Sequence, residues 1–466
     1  MKSISELVGE LKGDEGRWEE VVLGWGYGVA CGVAELVLHE LDQELMKGRE
    51  EGLRVKGFKE RCLTTVFGDV RIRRRVYMDE AGRRRYLLDE AIGLRKGDQT
   101  SPMLKGWALF LSSHLSFGKC EQILSFLVPG GVSHTTIHRL VGRVVDGYID
   151  EEAKEVAEVF EEGVIPESEG RIVPYLLVEG DGTNIALQRE EERRAEVKIG
   201  IAYEGWQLVG KDRYALKGKT TYAGVMSGQQ FWEGFSVALA GKYDLDKIGQ
   251  VIVGGDGAEW VKNGAEVLGG LYQLDRFHLL RALRGGLREE EVKAVYEACI
   301  TGDVAEADVL LRQAQGRAKG EAAQKIARLR GYLLNNAPGL RDYRLEVGRP
   351  DLRGLGAIES NIDKLVAHRM KKHGMSWTKR GGDRMVRLIC LREKGQLQGW
   401  VNCRPQPEEP KDSPMSWRVR KNKGRPGEEK HRTWLETGLP ALYGPHCNRP
   451  WVQVLSAIAH ATGAIR

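Results

Sequence analysis

The chain has 466 residues, enough for several domains and a sizeable core, with 71 Lys+Arg against 66 Asp+Glu and a formal charge of +5. That balance says little on average, so the places where bases cluster carry the information. Seven scattered cysteines, with no C-x-x-C pair and no His at zinc-finger spacing, argue for a reducing compartment and against a structural zinc. With no leading signal peptide and no run approaching 18 apolar residues, a soluble cytoplasmic protein is expected, with no membrane partner.

In chain order, residues 1–60 read as an amphipathic helical arm, with Leu36, Leu38, Leu41 and Leu45 as its stripe. Its glycine-rich patch, Gly24 to Gly32, lacks a preceding strand and a following Lys-Ser/Thr, so it reads as helix packing rather than a nucleotide loop. At 61–100 the period changes. Val66, Val70, Ile72 and Val76 suggest strands, with a hairpin turn at Met78 to Gly82. Arg71, Arg73, Arg74 and Arg75 lie along this ribbon, which either meets DNA phosphates or protects a solvated sheet edge with charge.

Residues 101–170 read as helical, and Phe126 to Val141 has the form of a helix-turn-helix. Pro129, Gly130 and Gly131 break the first helix, and Ser133 caps the second, which would present His134, Thr135, His138 and Arg139. DNA recognition and plain helix packing both remain open for this pair.

The next segment, 171–278, carries the chemistry. Val173 to Asp181 is a near-continuous apolar run, as expected of a strand buried on both faces, and it ends in Glu-Gly-Asp. Gln250 to Asp256 repeats the pattern. Asp181 and Asp256 are therefore placed at strand ends facing a ligand, the alternative for each being a simple Asp-Gly turn or helix cap. Strands are expected at Asn184 to Leu187, Glu196 to Tyr203 and Tyr214 to Val225, then a helix at Phe231 to Ala240 and strands at Val251 to Gly255 and Leu271 onward.

A charged, periodic stretch at 279–350 reads as a helical insertion separating Asp256 from Glu359 by 103 residues. In the 351–400 segment, a helix would put Ile358, Ile362, Leu365, Val366 and Arg369 on one stripe with Glu359 at its edge. Lys364, His368, Lys371 and Lys372 would then lie outside it, suited to a polyanion. Residues 401–466 form a Pro-rich linker and a basic tail.

Together, V-E-G-D-G-T, G-G-D-G-A-E-W and G-A-I-E-S-N, with Q-L-D-R-F-H between them and R-M-K-K-H-G-M-S-W after, resemble insertion-sequence transposases of the ISLre type. That group is similar to the Mutator-like DDE transposases, and the resemblance runs from about Leu63 to Leu397. It implies an α/β fold with a ribonuclease H-like core, an all-helical insertion between the second and third carboxylates, and helical and β-hairpin DNA-binding segments before it. It implies Asp181, Asp256 and Glu359 as a DDE triad holding two Mg²⁺ or Mn²⁺ ions about 3.5 to 4 Å apart. One ion would activate water and then a DNA 3′-hydroxyl, the other the leaving oxygen. Asp275 and His278 stand where such relatives carry a Cys or Asp followed by His, and would shape the site. The implied partners are double-stranded DNA, at terminal repeats and target, and further copies of the chain on that DNA, which would bring it to the nucleoid. A nuclease that only hydrolyses and a domesticated, non-catalytic DNA-binding protein are the alternatives.

Overall fold

The computed structural model describes residues 4–402. The expected linker at 404–414, the basic stretch at 417–432 and the terminal helix at 434–466 lie outside the described residues.

Two helices open the chain, α1 (Ile4–Leu11) and α2 (Trp18–Lys47). The helical arm ends earlier than expected, because β1 (Arg54–Thr65) already begins within the 1–60 segment. β1 pairs antiparallel with β2 (Gly68–Met78) from Arg54 opposite Met78 to Thr65 opposite Gly68, and short β3 (Arg84–Arg85) follows the expected turn. On β2, Val70 and Ile72 are buried while Asp69, Arg71 and Arg73 are exposed, the alternation of a ribbon covered on one side. The cover is α2. Leu38, Leu41 and Leu45 pack with Leu63, Val70 and Ile72, whereas Leu36, expected in that stripe, is 67% exposed.

The span Glu15–Lys47 is, by length and composition, apolar enough to cross a bilayer, contrary to the expectation that no such run exists. Its C-terminal half is held to the ribbon by polar contacts, Glu35 accepting the Arg71 backbone N–H and Asp42 pairing with Arg75.

After α3 (Leu87–Ala91) come α4 (Pro102–Ser112), α5 (Phe117–Leu127) and α6 (His134–Phe160). Each of the last three begins at a serine, Ser101, Ser116 or Ser133, whose hydroxyl accepts a backbone N–H of the first turn. Leu104, Ala108, Cys120, Leu124, Val132, Ile137 and Leu140 fill the space between them. α6 does not stop near residue 141. It runs on, and Val141, Val144 and Val145 join the central core, so 101–170 shares a hydrophobic interior with the sheet.

The central sheet is built from β4 (Tyr175–Ala186), β5 (Arg194–Tyr203), β8 (Thr220–Gly224), β9 (Gln250–Gly255) and β10 (Leu271–Leu274). Its order is β10-β9-β4-β5-β8, with β5 antiparallel to both neighbours and β9 and β10 parallel to β4. β6 (Trp206–Gly210) and β7 (Arg213–Leu216) make a separate ribbon between β5 and β8, so the strand expected at Tyr214 to Val225 is two. Likewise Asn184 to Ala186 extends β4 rather than forming its own strand.

Both faces of β4 are covered, as its apolar run requires. Leu176 and Val178 meet α7 (Gly228–Ala240) and α8 (Glu259–Val267) through Phe231, Trp232 and Val261. Leu177 and Ile185 point the other way, into a core completed by the chain's last described helices. Before those, the insertion forms α9 (Arg276–Gly286), α10 (Glu289–Thr301), α11 (Val304–Arg317), α12 (Glu321–Asn335) and α13 (Tyr343–Glu346). A core of its own links the first four, including Leu283, Val295, Leu311 and Leu329. The chain then returns through α14 (Ile358–Ile362), α15 (Lys379–Glu393) and α16 (Leu397–Asn402). α14 continues as a π-helix over Asp363–Lys371, a rare wide helix that is frequent at functional sites.

Candidate active site

Asp181 does not end its strand. β4 passes through it to Ala186, and what stops there is the parallel neighbour: Gly180 pairs with Gly255, the last residue of β9. Asp181 and Asp256 therefore stand one step beyond a shared rung on adjacent strands, whose spacing is about 4.8 Å. Each takes one nearby backbone donor, Asp181 from the next residue of its own strand and Asp256 from two residues on, as a turn aspartate would. Asp181 Oδ1 accepts from Gly182 at 2.6 Å, and Asp256 Oδ1 from Ala258 at 2.9 Å. Those single contacts do not neutralise the charges. Burial, then the neighbouring Asp256 and more weakly Glu359, push the Asp181 carboxyl up to about 6.

Glu359 is exposed on the first turn of α14, while Ile358, Leu365, Val366 and Arg369 are buried and Ile362 partly so, as the stripe predicts. The start of this helix is fixed by a residue that sequence reasoning passed over. Glu179, 2% exposed on β4, accepts the backbone N–H groups of Gly356 (3.0 Å), Ala357 (3.1 Å) and Ile358 (3.1 Å) and the Tyr203 hydroxyl. Its signal was present in the sequence: a charged side chain inside an otherwise apolar buried run.

Asp275 and His278 sit where β10 enters α9. Asp275 caps α9 by accepting Phe277 N–H at 2.9 Å, and its second oxygen meets His278 Nδ1 at 3.2 Å. The imidazole is held above its usual range, chiefly by that Asp275 contact, with Asp181 and Asp256 adding attraction. His278 thus lies in the negative field of both aspartates. Tyr332, on insertion helix α12, also reaches the site, donating to the Asp256 carbonyl at 2.8 Å. Nothing in the pattern around Tyr332 marked it.

Asp181 and Asp256 share one end of the sheet, with Glu359 on the helix clasped to β4, but the three carboxylates do not form a closed cage. Among the described residues no three of His, Cys, Asp or Glu stand close enough to hold one ion together. The donor set nevertheless suits a hard divalent cation, being oxygen-rich with a repulsive Asp181–Asp256 pair at its centre.

Basic residues flank this end of the sheet. Lys371 Nζ donates to Thr183, two residues along β4 from Asp181, at 2.9 Å. Lys364 and Lys372 are exposed, the latter 3.5 Å from Asp363. On the α6 turn, Thr135, His138 and Arg139 are exposed as expected, with His138 edge-on to Phe117. Ser133 is engaged as the cap, accepting Thr136 N–H. On the ribbon the four arginines divide. Arg71 and Arg73 face solvent. Arg74 is buried against Asp89, which Arg61 also meets, and Arg75 pairs with Asp42, so these two serve the fold rather than offering free charge to phosphates.

Among known proteins, the uncharacterised protein family UPF0236 matches residues 27–406. The chain belongs to the UPF0236 family. A UPF0236 protein in the vanSb 3′ region of Streptococcus gallolyticus is 27% identical over 375 residues, 78% of this chain and 79% of that one. Two UPF0236 proteins of Caldanaerobacter subterraneus subsp. tengcongensis are each 25% identical over 381 residues, covering 78% of this chain and 74% and 71% of theirs. In this UPF0236 protein the matched span takes in the arginine ribbon, the α5–α6 pair, the sheet, the insertion and the helix of Glu359.

Proposed function

We propose that this UPF0236 protein is a DDE transposase of the ISLre type, acting on double-stranded DNA by metal-dependent strand cleavage and strand transfer. The observation that carries the reading is the placement of Asp181 and Asp256 at neighbouring positions of parallel β4 and β9, with Glu359 on a helix anchored to the same strand. The strand order β10-β9-β4-β5-β8, with only β5 and its ladder antiparallel, supports a ribonuclease H-like core. Asp181 and Asp256 would hold Mg²⁺ or Mn²⁺, with Glu359 supplying the third carboxylate and His278 a proton-bearing group within their field. Ions so held would activate the attacking oxygen and stabilise the leaving one.

Exposed Arg71, Arg73, Thr135 and Arg139 would grip the element ends, and Lys364, Lys371 and Lys372 the strand at the site. The test is to incubate the protein with labelled element ends, target DNA and Mg²⁺ and map the products. Joined products support transposition, hydrolysed ends alone mean a nuclease, and binding without cleavage means a non-catalytic DNA-binding protein. Asp181→Ala, Asp256→Ala and Glu359→Ala should each abolish joining while DNA binding persists. Near wild-type joining by any one removes that residue from the triad.

A further inference from the structure

Glu179 is an expensive residue for its position. A carboxylate 2% exposed in the middle of a sheet is stable only when its lone pairs are met, and here four donors meet them. One is the phenol of Tyr203, on β5, where Tyr203 pairs with Leu177. The other three are consecutive backbone amides, Gly356 to Ile358, which otherwise lack partners because they open a helix. No salt bridge is involved. The chain enters this arrangement through Gly356 at φ +127°, a backbone region that favours glycine, which turns the three N–H groups toward β4.

The geometry has a further element. Glu179 and Asp181 are alternate residues of one strand and so share a face, while Glu359 follows directly on the last amide that Glu179 holds. One strand therefore carries the first candidate ligand and clasps the helix that carries the third. The long insertion between Asp256 and Glu359 makes such a clasp necessary, since chain connectivity does little to return Glu359 to the sheet.

We infer that Glu179 is a positioning residue: its carboxylate fixes Gly356 to Ile358 so that Glu359 is presented beside Asp181. This role rests on the proposed reading of Asp181 and Glu359 as metal ligands, but the clasp itself is separately testable. A glutamine cannot replace it. Glu179→Gln keeps the size yet turns an NH₂ group toward Gly356 and Ile358 in one orientation or toward Ala357 in the other, so in either a donor faces a donor.

The experiment uses the full chain and two measurements. Hydrogen exchange of the peptide covering 355–362 is compared in wild type, Glu179→Gln and Tyr203→Phe. The amides of 356–358 should exchange ~10-fold or more faster in Glu179→Gln and change little in Tyr203→Phe, which keeps the three backbone contacts. Mn²⁺ affinity is measured in the same proteins and in Glu359→Ala, alone and combined with Glu179→Gln. Glu179→Gln should weaken Mn²⁺ binding by ~10-fold or more, and should add nothing in the Glu359→Ala background.

Unchanged exchange at 356–358 in Glu179→Gln overturns the clasp. Faster exchange with full Mn²⁺ affinity, or additive losses in the double variant, overturns its action through Glu359. If wild type binds no Mn²⁺ that Asp181→Ala abolishes, the functional reading fails, and the positioning of a metal ligand falls with it even if the clasp stands. Global unfolding of Glu179→Gln would appear as faster exchange throughout the sheet, in which case Gly356→Ala, strained at its positive φ, tests the same anchoring without altering the buried carboxylate.

Discussion

Gly180 of β4 faces Gly255 of β9 across a parallel ladder, and after each glycine the next residue is an aspartate. Burial, and then the like charge that this rung brings alongside, raises the Asp181 carboxyl from 3.8 to about 6. The folded state then holds the Asp181 proton to higher pH than the unfolded chain does. Below about pH 4 the group is protonated in both states; as pH rises through about 6 the folded state is destabilised by its ionised form. Asp181→Asn should therefore match wild type in melting temperature near pH 4 and exceed it at pH 7 to 8. The gain is on the order of 1 kcal/mol once solvent screening of a part-exposed carboxylate is allowed for. Mg²⁺ should stabilise wild type and not the variant. A pH-independent difference would mean that Asp181 is an ordinary turn residue.

The two glycines of the rung are not equivalent. A methyl group on Gly255 would lie 2.5 Å from Val261 Cγ1 and 2.7 Å from the Gly180 carbonyl, whereas on Gly180 it would meet Trp260 and Val261 at 3.5 Å and beyond. Gly255→Ala should cost about 1 to 3 kcal/mol or more, because a backbone atom cannot step aside, and Gly180→Ala less than about 1 kcal/mol. Urea denaturation of both variants checks this, and equal losses would place the close approach elsewhere.

Arginine neighbours on β2 should separate just as sharply. Arg74→Ala leaves buried Asp89 with Arg61 alone and should cost about 3 kcal/mol. Arg73→Ala should change stability by no more than about 0.5 kcal/mol. If the ribbon meets DNA, Arg73→Ala weakens binding and lowers the slope of log affinity against log salt by about 0.9. An unchanged slope for both Arg71→Ala and Arg73→Ala would take the ribbon out of the DNA interface.

Ser133 offers a test in which stability and binding move apart. Ser133→Ala should lose about 1 kcal/mol with the cap, and Ser133→Asp should recover it, since a carboxylate also accepts the first-turn N–H groups. Were the start of α6 pressed against phosphates, Ser133→Asp would bind DNA more weakly than Ser133→Ala despite its better fold. The reverse order would argue that α5 and α6 meet only to pack.

The sequence was most informative where a pattern had one physical meaning. The apolar run before Asp181 could be satisfied only by cover on both faces, and the stripe from Ile358 to Arg369 only by packing on the sheet, so both were readable in advance. Boundaries were less so. The start of the ribbon at Arg54 was hidden because β1 is mostly exposed and carries little period-two signal of its own. Arg74 and Arg75 looked like their neighbours because ion pairing with Asp89 and Asp42 depends on contacts far along the chain. Tyr332 was silent for the same reason, reaching Asp256 from a helix that begins at Glu321.

The insertion also imposes an order on synthesis. Leu177, Val197, Ile199 and Ile201 form one face of the sheet, and much of what covers them, from Ile358 to Val401, leaves the ribosome only after α9 to α13. At about 5 to 20 residues per second, the nascent sheet spends several seconds with that face covered only in part, by α4 and α6. α10 to α12 have their own core and can fold in that interval, but the sheet cannot close until the last helices arrive. A chain truncated before residue 358 should thus be insoluble or chaperone-bound, even though it contains every strand of the sheet.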